Sequence, residues 1–215
     1  MEKLELYTYF RSSCSYRVRI ALAYKDLSYE PIFVNLLKGE QKQEDYKKKN
    51  PQSFLPSLLT QDGLLNQSLS IIEYLDEKYP NTKQLLPIDI YEKALVRSIA
   101  YIIACDVQPI QNLKVLKYLK NDLSLSEETK IQWIRDFIQS GFEAFEVKIK
   151  NISGDYCYKD FFSIADICLI PQVFNAKRFG VDMSLYPIIN KVYENCMKLQ
   201  FVLDSTPESQ EDSID

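Results

Sequence analysis

The sequence contains no histidine among its 215 residues. This absence excludes Ser-His-Asp and Cys-His catalytic arrangements, and it removes the side chain that most often serves as a general base near neutral pH. It also excludes the histidine-containing sites of most zinc hydrolases. Any chemistry must therefore depend on hydroxyls, a thiol, carboxylates, cations or a bound cofactor.

Three further absences narrow the class of protein. The five cysteines are odd in number and scattered, with no Cys-x-x-Cys pair, so they predict neither a disulfide framework nor a metal site. No apolar run approaches the roughly 20 residues of a membrane span, and residues 1–3 lead directly into a strand without the apolar core of a signal peptide. We therefore expect a cytoplasmic protein with no membrane partner. The formal net charge of -4 argues against nucleic acid as a partner, since a phosphate backbone requires a basic face.

The most informative segment is a polar cluster between a strand pattern and a helix pattern. Residues 4–10 alternate and predict a strand, and Val18, Ala21 and Leu22 share one face of the helix that follows. Between them, residues 12–15 read Ser-Ser-Cys-Ser where a helix presents unpaired N–H groups and the positive end of its dipole. Such a position binds an anion or keeps a thiol ionised, but one of the serines could instead simply cap the helix. The residues alone leave both interpretations open.

The rest of residues 1–82 predicts an α/β domain of the thioredoxin-like kind. Residues 29–34 predict a second strand parallel to the first, with Pro31 at a sheet edge or strand end, and a polar loop with a short helix follows. Leu55-Pro56 introduces another strand, and Asp62-Gly63 turns it into a hairpin. Thioredoxin-like domains carry a cis proline at this strand entrance, but the sequence leaves the isomer of the Leu55–Pro56 bond open.

Residues 83–86 read as a linker, and residues 87–215 predict an all-α C-terminal domain. Apolar residues at spacings of three and four from Ile131 to Ile149 predict one long packed helix. Ser163 and Asp166 form a capping box at the start of another helix, which makes Asp166 structural rather than catalytic. We expect the final helix to run from Pro187 to about residue 203, and the acidic tail over residues 205–215 to be disordered.

Several segments resemble the zeta-class glutathione transferases, the family that contains maleylacetoacetate isomerase. Residues 11–22 (Arg-Ser-Ser-Cys-Ser-Tyr-Arg-Val-Arg-Ile-Ala-Leu) look like the signature of that class, with Tyr16 where a tryptophan is expected. Similar segments occur in order along both domains, at residues 35–41, 67–75, 108–113, 165–172 and 175–179. Asn66 and Gln108 stand where relatives often have histidine. The resemblance covers nearly the whole chain and implies the glutathione transferase fold, glutathione as cofactor and a homodimer.

The resemblance also assigns roles to individual residues. It implies that Ser12, Ser13 and Cys14 surround the sulfur of glutathione. The cofactor-binding residues that it implies are Gln41, Leu55, Gln67, Ser68, Gln108, Asn112, Leu113 and Lys114. Gln67 and Ser68 would hold the γ-glutamyl carboxylate at a second helix N-terminus, although Ser68 on its own also fits a simple N-cap.

The implied activity is the glutathione-dependent cis–trans isomerisation of maleylacetoacetate to fumarylacetoacetate in tyrosine and phenylalanine catabolism. A thiolate adds to the conjugated double bond, the single bond rotates, and elimination restores the thiolate. We expect a hydroxyl of Ser12 or Ser13 to stabilise the thiolate, with Cys14 secondary. Arg11 and Arg178 are candidate clamps for the carboxylates of a small dicarboxylate substrate, although Arg178 could also be an ordinary salt-bridged helix residue.

Two alternatives stay open at this point. One is a general glutathione transferase or dehalogenase that acts on small α-halo acids, with the same thiolate and the same arginine. The other is a non-catalytic binding module of the same fold. The Ser-Ser-Cys segment and Arg178 argue against the module, since a scaffold needs neither.

Overall fold

The computed structural model describes residues 3–213, which fall into two compact units. The first unit contains the residues up to Leu85 together with the segment from Met197, and the second is Leu86–Cys196. The boundary between Leu85 and Leu86 lies within the segment predicted as a linker. Buried apolar side chains occur in both units, so each has a core of its own.

A four-stranded mixed sheet organises the first unit. Its strands are β1 (Glu5–Thr8), β2 (Glu30–Phe33), β3 (Ser57–Thr60) and β4 (Gly63–Asn66), in the order β2-β1-β3-β4. β1 pairs in parallel with β2 and antiparallel with β3, and β3 and β4 form the hairpin predicted at Asp62-Gly63. β2 is an edge strand, and an edge tolerates Pro31 because its missing N–H is not needed there for a second ladder.

Three helices accompany this sheet: α1 (Ser13–Tyr24), α2 (Glu44–Lys49) and α3 (Ser68–Lys78). α1 connects the parallel strands β1 and β2, which is the predicted βαβ unit, and it packs against α3. Sheet and helices share fully buried aliphatic side chains, namely Leu6, Ile20, Leu22, Leu58, Ile71, Ile72 and Leu75. The predicted thioredoxin-like arrangement is confirmed.

The second unit is helical, as predicted. Its main helices are α4 (Ile90–Tyr101), α5 (Leu113–Asn121), α6 (Glu127–Ile149), α7 (Ile164–Arg178) and α8 (Pro187–Cys196). A π-helical segment, Ile102–Val107, and a 3-10 turn, Pro109–Gln111, link α4 to α5. The apolar row of α6 is fully buried at Ile134, Ile138, Phe142, Phe145 and Ile149. α7 packs against both α4 and α8 and forms the centre of this unit.

The predicted capping box is present at the start of α7. The Asp166 carboxylate accepts the backbone N–H of Cys157 at 2.7 Å and that of Ser163 at 2.8 Å, and Ser163 Oγ accepts the N–H of Ala165 at 3.2 Å. Ser163 and Asp166 are fully buried, and this burial raises the pKa of the Asp166 carboxyl. The carboxylate satisfies two buried N–H groups, which supports its structural role.

The end of the chain differs from the prediction. α8 ends at Cys196, and a separate short helix, α9 (Gln200–Leu203), follows, so the expected continuous helix to residue 203 is wrong. The segment from Met197 belongs to the first unit, so the assignment of all residues after 87 to the helical domain is also wrong.

The acidic tail is folded over residues 205–213, where disorder was predicted. The Arg19 Nε–H donates to the carbonyl of Ser205 at 3.1 Å, and the Phe10 N–H donates to the Asp212 carboxylate at 3.0 Å. These bonds join residues 186 and 202 positions apart, which no local pattern reveals. The ends of the chain, residues 1–2 and 214–215, lie outside the described residues.

Candidate active site

The loop from β1 to α1 places Ser12 at the helix cap. The Ser12 N–H donates to the Tyr9 carbonyl at 3.0 Å, and Ser12 Oγ accepts the N–H of Ser15 at 3.2 Å. Ser13 and Cys14 therefore occupy the first turn of α1, and both are partly exposed. The capping interpretation is correct for Ser12, and it leaves the hydroxyl of Ser13 and the thiol of Cys14 in the first turn beside it.

A second helix N-terminus lies in the same unit, at the start of α3. Ser68 is the first helical residue, and Gln67 is the cap without a side-chain capping bond. The interpretation of Ser68 as N-cap is therefore wrong, and the physical reason is the backbone of Gln67. Its φ of 71° carries the chain from β4 into the helix one residue earlier than a serine cap would. Positive φ is uncommon for a residue other than glycine, and such backbone clusters at functional sites.

Arg17 connects the two helix N-termini. Its guanidinium Nη1 donates to Ser68 Oγ at 3.4 Å and lies 3.9 Å from Cys14 Sγ. The residue is 2% exposed, and within the described chain its Nε and Nη2 have no hydrogen-bond partner. Sequence reasoning missed this residue, although its position three residues after Cys14 places both on one face of the helix.

Leu55 stands before a cis peptide bond to Pro56 at the entrance of β3. Side chains that sequence reasoning did not single out support this loop. The Tyr46 hydroxyl donates to the Phe54 carbonyl at 2.7 Å, and the amide of Asn50 donates to the same carbonyl at 2.9 Å. Burial raises the pKa of the Tyr46 hydroxyl, which keeps it protonated as a donor.

The first unit also contains the predicted residues Gln41, Gln67 and Arg11. Gln41 is buried in a short 3-10 helix, and its Oε1 has no hydrogen-bond partner among residues 3–213. The Gln67 side chain donates to Gln52 Oε1 at 2.8 Å. Arg11 Nη2 lies 3.4 Å from the Tyr9 hydroxyl, and its guanidinium lies 5.0 Å from the centre of the Phe10 ring.

The other predicted residues belong to the second unit. Asn112 caps α5, and its Oδ1 accepts the N–H of Lys114 at 3.0 Å. Leu113 begins that helix, and Gln108 precedes the 3-10 turn. Arg178 is the exposed last residue of α7, with its guanidinium 5.1 Å from the centre of the Phe179 ring. The roles predicted for these side chains stay predictions.

The cluster formed by Arg17, Cys14 and Ser68 is therefore suited to binding an anion. Two helix N-termini direct positive potential into it, and the buried guanidinium adds a full charge. Residues 3–213 contain no cluster of histidine, cysteine, aspartate or glutamate that could hold a metal ion. In the same part of the chain, no helix is long and apolar enough to cross a membrane.

Comparison with known proteins decides the family. Residues 6–83 match the family model of the glutathione S-transferase N-terminal domain. A probable maleylacetoacetate isomerase from Vibrio cholerae is 42% identical over 215 residues, which cover 99% of this chain and 100% of the relative. The structure of a bacterial maleyl pyruvate isomerase, a zeta-class glutathione transferase, superimposes with a TM-score of 0.95 at 38% identity, covering 98% of this chain and 100% of that one. The chain belongs to the zeta-class glutathione transferase family.

A second solved structure contains bound glutathione. The maleylacetoacetate isomerase of Anaeromyxobacter dehalogenans, with glutathione in its active site, superimposes with a TM-score of 0.90 at 38% identity and covers 99% of both chains. In the present zeta-class chain, Tyr16 is buried and lies against Arg19, with the guanidinium 5.3 Å from the ring centre. Asn66 accepts a hydrogen bond from the Ser57 hydroxyl at 2.7 Å.

Proposed function

We propose that this protein is a glutathione-dependent isomerase that converts maleylacetoacetate to fumarylacetoacetate, a step of tyrosine and phenylalanine catabolism. The observation that carries the proposal is the meeting of two helix N-termini at the buried Arg17, beside Ser12, Ser13 and Cys14. The full-length identity to proteins of that name supports it.

Glutathione is the cofactor, and the residues present fit it. A tripeptide with a thiol and two carboxylates needs donors for anions and acceptors for its amides. Nε and Nη2 of Arg17 and Oε1 of Gln41 are buried polar atoms without a hydrogen-bond partner among residues 3–213, and a bound tripeptide would supply such partners. The first turns of α1 and α3 add backbone N–H donors.

When bound, glutathione supplies a thiolate that adds to the conjugated double bond and leaves after rotation, so it is not consumed. The task of the protein is to keep that sulfur ionised and to stabilise charge on the substrate. A hydroxyl of Ser12 or Ser13 would donate to the sulfur, and such a charge-assisted bond is worth about 1.5–3 kcal/mol. N–H groups of the same turn stabilise the negative charge that develops on the substrate oxygen. Cys14 assists and is not the nucleophile, because a reactive protein thiol would make the cofactor site redundant.

The other assignments complete this proposal. Gln67 and Ser68 hold the γ-glutamyl carboxylate, the Leu55 backbone pairs with the cysteinyl amide, and Gln41 reaches the tripeptide. Gln108, Asn112, Leu113 and Lys114 contribute from the helical unit. Arg11 and Arg178 clamp the substrate carboxylates, because a guanidinium matches a carboxylate with two parallel bonds. The cytoplasmic location and the homodimer are part of the same proposal.

A second candidate is the isomerisation of maleylpyruvate. It is favoured by the TM-score of 0.95 with a maleyl pyruvate isomerase. Both substrates are cis-enedioic acids that the same thiolate chemistry would serve, so they differ only in how the far carboxylate is held.

The deciding experiment follows maleylacetone, an analogue of maleylacetoacetate, by ultraviolet absorbance with glutathione, without it, and with S-methylglutathione. We expect isomerisation only with glutathione, because S-methylglutathione has the same carboxylates but no thiol. Equal rates with S-methylglutathione would refute the thiolate mechanism. Maleylpyruvate in the same assay ranks the two candidate substrates by kcat/KM.

A further inference from the structure

Arg17 is a buried cation for which residues 3–213 supply no neutralising carboxylate. Only 2% of the residue is exposed, and no carboxylate in the described part of the chain forms an ion pair with it. Two of its three guanidinium nitrogens, Nε and Nη2, have no hydrogen-bond partner there. A buried charge without a partner opposes folding, and a cation near the N-termini of helices opposes it further.

Burial on α1 does not by itself leave an arginine without hydrogen-bond acceptors, as the neighbouring Arg19 shows. Arg19 is as deeply buried, at 1% exposed, yet its guanidinium donates to the carbonyls of Ser205 and Phe10 at 3.1 and 3.0 Å. Burial lowers the pKa of Arg19 to about 10. Arg19 therefore stabilises the fold through its hydrogen bonds. Arg17, in contrast, has N–H donors at the candidate active site that bond to no group in residues 3–213.

The contacts of Arg17 also set the direction of its neighbours' protons. A guanidinium can only donate, so Ser68 Oγ must accept from Nη1, and its own proton is left to donate to another acceptor. Cys14 Sγ lies 3.9 Å from the same nitrogen, so it also acts as an acceptor toward Arg17. Because both side chains accept from Arg17, their own protons are oriented to donate to a bound anion.

We propose that Arg17 is a positioning residue of the glutathione site, which fixes Ser68 for the γ-glutamyl carboxylate and stabilises the negative charge gathered near Cys14. This inference rests on the proposed use of glutathione. The unfavourable charge of Arg17 is offset when an anionic ligand binds, so the residue should favour ligand binding at the expense of stability without the ligand.

The test compares Arg17→Met with Arg19→Met, two substitutions of similar shape on the same helix. Thermal unfolding is measured with and without glutathione, and the glutathione Kd is measured by calorimetry. We expect Arg17→Met to unfold at the wild-type temperature or above without glutathione, and to raise the Kd at least about tenfold, equivalent to about 1.4 kcal/mol. Arg19→Met should do the reverse, with a lower unfolding temperature and a Kd within about twofold of wild type once folded. Should Arg19→Met fail to fold, Arg19→Lys replaces it as the control.

A second readout separates positioning from packing. The thiolate of bound glutathione is measured from its ultraviolet difference absorbance across a pH series. Arg17→Met should raise the pKa of the bound thiol, because a nearby positive charge is lost, whereas Arg17→Lys should restore part of the thiolate signal. A packing role would give no such rescue.

Three results would overturn the inference. One is an Arg17→Met protein that is destabilised as much as Arg19→Met and keeps the wild-type Kd and thiolate signal. Another is a loss of affinity in Arg17→Met with no change in thiolate and no rescue by lysine. The third is a wild-type protein that does not bind glutathione, which would overturn the proposed function as well. If the wild type binds glutathione but leaves maleylacetone unchanged, the isomerase proposal alone fails, and the Arg17→Met effect on Kd still supports this inference.

Discussion

Ser12→Ala and Ser13→Ala remove neighbouring hydroxyls that the structure places in different surroundings. Ser12 Oγ caps α1 by accepting the N–H of Ser15 at 3.2 Å, so its loss should cost about 1 kcal/mol of unfolding free energy. For a chain of this length that lowers the midpoint of thermal unfolding by about 2–4 °C. Ser13 is the first residue of the helix and does not cap it, so Ser13→Ala should change stability by less than about 0.5 kcal/mol.

Ser13→Ala should lose more activity than Ser12→Ala, although Ser12→Ala should lose more stability. Loss of one charge-assisted hydrogen bond to the sulfur, worth about 1.5–3 kcal/mol, corresponds to a fall of about 10- to 150-fold in kcat/KM. We expect this loss in Ser13→Ala foremost, with a smaller one in Ser12→Ala. The assays are thermal unfolding and glutathione-dependent isomerisation of maleylacetone.

Ser15→Ala is the matched control in the same segment. The Ser15 hydroxyl is buried and has no hydrogen-bond partner among the residues described, so its removal should leave activity unchanged and stability equal or higher. A fully active Ser13→Ala protein together with an inactive Cys14→Ala protein would exclude this role for Ser13, since Cys14 would then be the nucleophile. Equal unfolding temperatures for Ser12→Ala and Ser13→Ala would refute the assignment of the cap.

Three further predictions concern the helical unit. Asp166→Ala should destabilise the protein in urea unfolding, because it leaves the buried N–H groups of Cys157 and Ser163 unsatisfied at about 1–3 kcal/mol each; a loss under about 1 kcal/mol would contradict this. Burial raises the pKa of Asp166, so the native state takes up this proton at a higher pH than the unfolded chain does. The unfolding free energy therefore increases as the pH falls through the range between the pKa of Asp166 in the native state and its pKa in the unfolded chain. The unfolding free energy of wild type relative to Asp166→Asn should therefore increase on acidification, and a constant difference would show that Asp166 titrates normally. Arg178→Gln should raise the KM for maleylacetone several-fold while the glutathione Kd stays within about twofold, and an equal loss of both would exclude a role confined to substrate.

Local patterns were sufficient for much of the fold. Alternation before residue 10, the Asp62-Gly63 turn and the Ser163–Asp166 box are each short-range signals with one physical meaning, and the structure has all three. The long apolar row of α6 is equally direct, because its spacing of three and four residues continues from Ile131 to Ile149 on one helix.

The failures depend on distant contacts or on backbone geometry, neither of which residue type alone shows. The segment after Cys196 packs on the first unit through Arg19 and Asp212, whose partners are 186 and 202 residues away. Ser68 was predicted as the N-cap because the prediction uses residue type, and serine is a common cap. The actual start of α3 depends on the positive φ of Gln67, which is set where β4 joins α3. Arg17 was missed because an arginine in a helix usually extends its charged end to solvent, and only the structure shows this one buried at the N-termini of α1 and α3.

In the proposed reaction, glutathione acts as a catalyst held by this protein and is not consumed. The most direct test of this role follows maleylacetone by proton NMR with glutathione at about one hundredth of the substrate concentration, and titrates the thiol at the end. We expect complete conversion to the trans product, many turnovers per glutathione, and an unchanged thiol content. Conversion that stops near one product per glutathione, or a thiol content that falls with product, would contradict it and identify a conjugating transferase instead.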